Sequence, residues 1–375
     1  MHPSNVGQHS MTISQLLLSL VGHFGRRIDA ERGGRSQAPA STWIRPQDID
    51  QFVCAVTPLT FLGVFSPHPV MGWCARSIMS TLAACDPAVV MMPVLDRMCP
   101  LMEDTQTPHP QTLFAALEAV ALCMPALLDR ERFPKGRTFI PKLLLATVQG
   151  LDISEKQRTR ATLKVYIALL SVSYLQPLAS EQAYVADDVD ARISEALSPW
   201  AYEAVDRSLM LLDHKSNPDY QNGQDTMLVI TTMGMFFAHI SDSMYTDALA
   251  KVGRFVQTNL FHNALTPVGL FVEQCAAANP EQALGTFVPI CAAKLKEGSG
   301  ASEEEELCML RVLSKAIKKA GVSIIPHSDF ITDVITRYVG NTSHSVTKEA
   351  AKVFLCRPML PAAVHTCRRL IDLSR

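Results

Sequence analysis

The stretch CDPAVVMMPVLDRMCP, residues 85–100, has the apolar spacing of a helix and yet contains three prolines. Asp86 is a favourable N-cap, and Pro87 occupies the first helical position, where a missing N–H leaves no hydrogen bond unmade. Pro93 lies about two turns further on, where proline removes one backbone bond and bends the helix. We therefore predict a capped and bent helix that Pro100 closes.

The same sequence signals for helix starts, apolar faces and helix ends recur along the chain. The clearest case is a helix from about Glu303 to Ala320, with a Ser302/Glu305 capping box at its start and Gly321 after its end. Ser154, Ser243 and Asn279 mark three further predicted starts. This pattern predicts roughly fifteen helices and no alternating strand of any length.

Helices in unbroken succession favour a repeat array. The Cys-Asp-Pro opening at Pro87 and the Ala-Asn-Pro opening at Pro280 lie 193 residues apart, which equals four or five units of the ~40–47 residues of a HEAT repeat. We predict an all-α fold, a curved HEAT-like α-solenoid of antiparallel helical hairpins. Residues 1–375 are taken as one continuous array, with residues 30–42 as a flexible loop.

Composition excludes several classes of partner. A 375-residue chain with 48% hydrophobic residues, 19% charged residues and a formal net charge of −2 is an ordered protein without the basic surface that nucleic acid or anionic membrane requires. Ile13 to Phe24 is read as an amphipathic core helix, and no membrane span is predicted. The ten scattered cysteines are expected to be buried, reduced thiols in a reducing compartment.

No motif for chemistry emerges, so we predict no enzyme, no catalytic residue, no cofactor site and no metal site. Phe133 to Arg137 lacks the spacing of a phosphate loop and is predicted to be a loop before a helix from Thr138 to Val148. His239 and His365 have no metal-ligand spacing. Partner-binding residues stay unassigned.

Two clusters of Arg and Lys residues, the first and second basic groups, allow two interpretations. They are either solvated helix ends, which is favoured, or a convergent site for an anionic ligand. The first group comprises Arg130, Arg132, Lys135, Arg137 and Lys142, and the second comprises Arg158, Arg160 and Lys164.

Two blocks of this sequence resemble a known family. The first runs from DPAVVMMPVLDRMCP through RFPKGRTFIPKLLLATVQGLD, and its matching positions include Pro87, Pro93, Val94, Leu95, Arg97, Pro108, His109, Phe133, Pro134, Gly136, Pro141, Leu143, Leu144, Gly150 and Asp152. The second carries Cys275, Pro280, Glu281, Leu284, Phe287, Val288 and Pro289. Both look like the middle region of the large single-chain HEAT-repeat proteasome activators of the bleomycin-sensitivity type.

The resemblance implies a non-enzymatic activator segment that binds the α-ring of the core proteasome and supports ATP- and ubiquitin-independent degradation. It also implies acetylated histones as substrates, a role in DNA repair, residence in cytoplasm and nucleus, and an inositol phosphate as a ligand. Many members end in a hydrophobic-Tyr-any tripeptide, whereas this chain ends Leu373-Ser374-Arg375, so gate opening by such a tail is not expected of it. The alternative hypothesis is a generic HEAT adaptor that binds another protein.

Overall fold

The computed structural model describes residues 8–103, 110–171, 188–213, 223–259, 265–296, 299–338 and 343–355, and every regular element in those ranges is a helix. The predicted all-α fold is therefore confirmed. The chain divides into two compact units, Met1–Ala204 and Val205–Arg375. The continuity of one array over residues 1–375 stays a prediction.

The bounds of the helices are as follows. The first part of the chain contains α1 (Gln8–Arg32), α2 (Pro46–Val64), α3 (Pro69–Cys85), α4 (Pro87–Glu103), α5 (Pro110–Leu127), α6 (Ile140–Val148) and α7 (Lys156–Ser171). The remainder contains α8 (Asp188–Leu212), α9 (Gln224–Phe237), α10 (Asp242–Thr258), α11 (Leu265–Ala278), α12 (Pro280–Leu295), α13 (Glu303–Lys318), α14 (Ser328–Tyr338) and α15 (His344–Leu355).

The first unit is built in two layers. Helices α1, α3, α5 and α7 pack side by side in one layer, while α2, α4 and α6 form the other. Within a hairpin, α2 packs on α3 and α4 packs on α5. Each hairpin thus covers the apolar face of its neighbour, which is the packing rule of a helical-repeat solenoid.

The second unit repeats this arrangement. Helices α9, α11, α13 and α15 form one layer, and α10 packs beside α12 in the other. Helix α12 packs on α13, and α14 packs on α15. A 3-10 helix, Gly321–His327, joins α13 to α14 and contacts α12.

Three of the predicted helix starts are confirmed by their hydrogen bonds. The Asn279 side chain accepts from the Gln282 N–H at the start of α12. Ser302 and Glu305 form both bonds of the capping box of α13. The Asp86 carboxylate accepts from the Val89 N–H at 3.3 Å. These capping hydrogen bonds join residues that are close in the sequence, so the local sequence is enough to predict where each of these helices begins.

Two predicted starts are wrong by one turn or less. Ser154 does not cap α7, which begins at Lys156, because its hydroxyl donates to Asp152 at 2.7 Å. Ser243 lies inside α10, whose N-cap is Ser241. At α10, a neighbouring serine of the same capping type takes the role.

Helix α4 accommodates its prolines differently from the prediction. Pro93 lies within the helix as expected, but Pro100 does not end it, since α4 continues to Glu103. Both prolines lie on the exposed face. Arg97 lies on this same face, 4.1 Å from the ring centroid of Phe61 on α2, while the opposite face packs on the neighbouring helices. Packing of this kind retains a helix past a residue that would end it in isolation.

The first helix departs from the prediction in burial. Ile13 to Phe24 is helical as predicted, but it is not wholly a core segment, because Ile13, Leu16 and Leu20 are exposed. No helix among the described residues is long and apolar enough to cross a membrane. The predicted loop at residues 30–42 starts later, at the end of α1, and the Ile44 N–H just after it donates to Glu31. Its flexibility stays a prediction.

Two glycines of the first block lie where no side chain fits. A Cβ on Gly136 would lie 1.8 Å from the Leu127 carbonyl oxygen, and one on Gly150 would lie 2.2 Å from the Thr162 hydroxyl. Gly136 belongs to the 3-10 helix Pro134–Phe139, which leads into α6. The chain after α5 can pass this close to the Leu127 carbonyl oxygen only because residue 136 is a glycine, which has no Cβ.

We expect Gly136→Ala to lower the free energy of unfolding by about 1–3 kcal/mol, since the new methyl group must displace backbone. Urea unfolding followed by circular dichroism measures this change. Gly285→Ala on α12 is the matched control, because nothing lies within 4 Å of its Cβ position. That control should be neutral or stabilise by about 0.5–1 kcal/mol. Equal effects of the two substitutions would contradict the close-approach argument.

Candidate interaction surface

The described residues hold no group of three or more His, Cys, Asp and Glu side chains that could bind a metal ion. The His239 ring Nδ1 lies 2.6 Å from the Met235 carbonyl of its own helix turn. His365 and the carboxyl-terminal residues 373–375 lie outside the described part of the chain, as do Pro108 and His109.

The described cysteines are buried thiols, with one exception. Burial raises the pKa of Cys85 to about 11 and that of Cys123 and Cys291 to about 12, so these side chains stay protonated near neutral pH. Cys54 is exposed, which corrects the expectation that all ten are buried. Cys356 and Cys367 lie outside the described residues.

Two cations of the first basic group are paired with carboxylates of the chain itself. Arg132 donates to Asp129 at 2.7 Å and to the Ala84 carbonyl at 2.6 Å, which closes the end of α3. Lys142 pairs with Glu103 at 2.7 Å. Arg130 and Arg137 also have partners, and the Lys135 side chain is exposed.

Two cations of the second basic group also pair with carboxylates of the chain. Arg158 lies 3.5 Å from Glu155 on the same turn, and Arg160 also has a partner. Lys164 instead crosses from α7 to Glu118 on α5, at 2.6 Å. The interpretation as solvated and internally paired helix surface is the one these contacts support.

The Glu118 carboxylate forms the centre of a three-helix ion pair. Arg76 of α3 approaches it from one side at 3.1 Å, and Lys164 of α7 approaches it from the other side. Cation, anion and cation thus alternate across α3, α5 and α7. The sequence analysis noted Lys164 but did not identify its partner, because Arg76, Glu118 and Lys164 are separated by more than 40 residues at each step.

The second unit has a corresponding arrangement across α11, α13 and α15. Glu273 of α11 is bound by Lys315 at 2.6 Å and by Lys318 at 2.7 Å. Arg311 of α13 reaches Glu349 of α15 at 3.3 Å. Gly269 makes room for this contact, since a Cβ there would lie 3.0 Å from the Arg311 side chain.

An exposed aromatic and an exposed aliphatic side chain lie beside the ion pairs of the first unit. Trp73 is one turn before Arg76 on α3, and Leu122 is one turn after Glu118 on α5. Both are exposed large hydrophobic side chains. We call the surface formed by Trp73, Arg76, Glu118, Leu122 and Lys164 the ladder face. Exposed Trp next to Arg is the composition that favours protein contacts.

Comparison with known proteins supports this architecture. Residues 1–195 and 192–354 match the family model described as "Proteasome activator complex subunit 4, mid HEAT repeats region". The chain is 25% identical over 285 residues to proteasome activator subunit 4 of Arabidopsis thaliana, covering 69% of this chain and 15% of that protein. It is 30% identical over 175 residues to proteasome activator complex subunit 4 of Homo sapiens, covering 45% of this chain and 9% of that protein.

The chain thus spans about 15% of the length of the Arabidopsis relative. Among solved structures, a crystal structure of importin beta overlaps 82% of this chain and 41% of its own, with 14% identity and a TM-score of 0.29.

The ion pairs of Glu273 can be tested through the pH dependence of the free energy of unfolding. Burial favours a raised pKa for this carboxyl, but the hydrogen bonds from Lys315 and Lys318 outweigh burial and hold its pKa below the usual value. At acid pH the unfolded chain therefore binds more protons at this carboxyl than the folded chain does. The contribution of these ion pairs to the free energy of unfolding is thus complete above pH ~4.5 and is lost as pH falls through the lowered pKa of Glu273.

We expect Glu273→Gln to lower the free energy of unfolding at pH 7 by about 1–2 kcal/mol, because the amide leaves both ammonium groups unpaired. Urea titrations at pH 7 and at pH values below 4.5 measure the difference from the wild type, which should shrink at the acid end. Glu281→Gln, at an exposed site on α12, is the control and should change stability by less than about 0.5 kcal/mol. A difference that does not change with pH would contradict the assignment.

Proposed function

The chain belongs to the family of the middle HEAT-repeat region of proteasome activator complex subunit 4, and from that premise we propose that it acts as a non-catalytic scaffold segment of a proteasome activator. In this proposal the segment binds the α-ring at the end of the core proteasome. Its role is to present helical surfaces to the core particle and to substrate polypeptides.

The match of the family model to residues 1–195 and 192–354 carries the proposal. The described residues add a physical reason, since several of their charged side chains pair between neighbouring repeats. Repeat arrays of this kind offer extended surfaces for protein partners. Because the chain spans about 15% of the Arabidopsis relative, activation by the whole protein is part of the proposal.

The finer parts of the proposal concern substrates and conditions. We expect degradation without ATP or ubiquitin, acetylated histones among the substrates, a role in DNA repair, and residence in cytoplasm and nucleus. An inositol phosphate ligand would have to compete with Asp129, Glu103 and Glu118 for the cations Arg132, Lys142 and Lys164. The stability assay with added inositol hexakisphosphate tests that ligand directly.

We expect the purified chain to bind purified core particles and to change the rate at which they hydrolyse a fluorogenic peptide. Trp73→Ala should weaken that binding by about 2 kcal/mol, some thirtyfold in Kd, if the ladder face makes the contact. Biolayer interferometry with immobilised core particles measures Kd. Trp73 is largely exposed, so its removal should leave the fold unchanged by circular dichroism.

Met227→Ala serves as the control, because it removes an exposed apolar side chain in the second unit, on α9. Equal loss of binding in both variants would contradict a contact through the ladder face. Absence of binding by the wild-type chain at micromolar concentration, together with unchanged peptide hydrolysis, would contradict the proposed function of this segment. Capture of a defined partner other than the core particle would favour the adaptor hypothesis.

A further inference from the structure

Helix α13 carries a row of cations on a side that the described helices leave open. Helices α11 and α15 flank α13 in its own layer, and α12 packs on it from the other layer. Arg311, Lys315 and Lys318 follow one another at spacings of four and three residues, which places them on one side of the helix. The open side of α13 is therefore set by the packing of its three neighbours and not by an end of the chain.

Helix α15 adds two lysines to this side. Glu349 of α15 faces α13, because its carboxylate lies 3.3 Å from the Arg311 guanidinium. Lys352 binds the same carboxylate, so it too lies on the side of α15 that faces α13. Lys348 is one turn before Lys352 and is exposed. We call the surface formed by Arg311, Lys315, Lys318, Lys348 and Lys352 the cationic face.

The cations of this face outnumber the carboxylates that pair with them. Those carboxylates are Glu273 and Glu349, which are only 6% and 5% exposed. The contact of Glu349 with Arg311 is incomplete, since the Arg311 Nε and Glu349 Oε2 atoms are buried without a hydrogen-bond partner among the described residues. Five cations therefore share two buried carboxylates, in a chain whose formal net charge is −2.

The helix dipole explains only part of this charge. It favours a cation such as Lys318 in the last turn of α13, but it does not favour Arg311 two turns earlier or Lys348 in the middle of α15. Like charges three or four residues apart on a helix also repel one another. The surplus of positive charge is thus more than helix stability requires, and a negatively charged partner would relieve it.

The cationic face is bounded by negative charge at one end. Glu304 lies seven residues before Arg311, on the same side of α13, and the whole first turn of this helix is acidic. A long polyanion such as nucleic acid would be repelled there, because its charge extends past the cations. A short anionic segment can bind the cations without reaching the glutamates.

The adjoining side of α11 is neutral. Its residues there are Thr266, Leu270, Gln274 and Ala277, of which Leu270 is half-buried and Ala277 is exposed. These side chains offer no aromatic ring on which a nucleic acid base could stack. An apolar strip beside positive charge instead suits a polypeptide that carries apolar and acidic side chains close together.

We propose that the cationic face binds an acidic segment of a partner polypeptide, with aspartate or glutamate side chains over α13 and α15 and an apolar stretch over α11. Helices of one layer lie roughly 8–10 Å apart, so α11 and α15 are about 20 Å apart. A helical segment of about 14 residues spans that distance. Lysine suits this partner, because its ammonium group accepts carboxylates in several orientations, whereas the planar guanidinium of arginine favours bidentate phosphate.

This inference goes beyond the proposed function. The ladder face belongs to the first unit and the cationic face to the second, so a chain that does not bind core particles can still bind an acidic segment. Because the charges are partly in contact with solvent, each contributes little and salt weakens the contact. We therefore expect a dissociation constant on the order of 10 µM.

Fluorescence anisotropy with the full chain tests the proposal. The probe is a fluorescein-labelled peptide of about 16 residues, with leucines in one half and glutamates in the other. The wild type should bind it, and an increase in salt from about 0.05 M to about 0.5 M should raise Kd about tenfold. The same peptide with lysine in place of each glutamate should not bind, and a single-stranded oligodeoxynucleotide of equal charge should bind more weakly.

Lys348→Glu should raise Kd for the acidic peptide at least about fivefold, because it replaces an attractive charge with a repulsive one. Lys348→Arg keeps the charge and should bind like the wild type. The matched control is Lys296→Glu, which makes the same change at an exposed site just after α12, in the other layer. It should leave Kd unchanged. Circular dichroism verifies that each variant folds.

Carbodiimide cross-linking locates the contact, since it joins a carboxylate of the peptide to a lysine amine that touches it. Mass spectrometry should find the cross-links on Lys318, Lys348 and Lys352. Failure of the wild type to bind the acidic peptide at about 200 µM overturns the proposal. So does an unchanged Kd of Lys348→Glu, equal binding of the lysine peptide, or cross-links confined to lysines outside the cationic face. Tighter binding of the oligonucleotide than of the peptide also overturns it and assigns the face to nucleic acid.

Discussion

The alignment of successive repeats in this structure depends on hydrogen bonds and ion pairs between them. Lys164 reaches Glu118 across 46 residues of sequence, Lys315 reaches Glu273 across 42, and Arg337 reaches the Leu295 carbonyl across 42. These separations fall in the range of one HEAT repeat, ~40–47 residues. Each such bond forms only when two successive hairpins are in register, because a shift of one residue would turn the side chain away from its partner. Apolar packing supplies most of the stability, and these polar contacts select one register among several.

Local features of the fold could be read from the sequence because the residues that decide them are adjacent. Ser302 with Glu305 and Asn279 with Pro280 specify a helix start without help from the rest of the chain. Pro100 is a position at which the local sequence alone does not predict the structure. Taken alone it indicates a helix end, but α4 continues past it, since packing against neighbouring helices outweighs one missing backbone bond.

Features that depend on distant residues could not be predicted in this way. The basic residue Lys164 was noticed, but its partner Glu118 lies in the preceding repeat, and no spacing rule connects them without the fold. The same holds for α1, whose periodicity predicts an amphipathic helix correctly. Periodicity predicts which face of a helix is apolar, but it does not predict which neighbour covers that face. The exposure of Leu16 is therefore seen only in the structure.

Several residues that match the family pattern have a packing role in this structure. Gly136 and Gly150 match the family pattern, and each lies where a Cβ would collide with the core. Arg97 and Phe287 match it too, the first stacked on Phe61 and the second fully buried. Trp73, Leu122 and Leu16 are exposed, so packing within the described residues does not explain their side chains. These matching residues therefore show how the repeats pack, whereas partner choice on such a scaffold depends on exposed side chains.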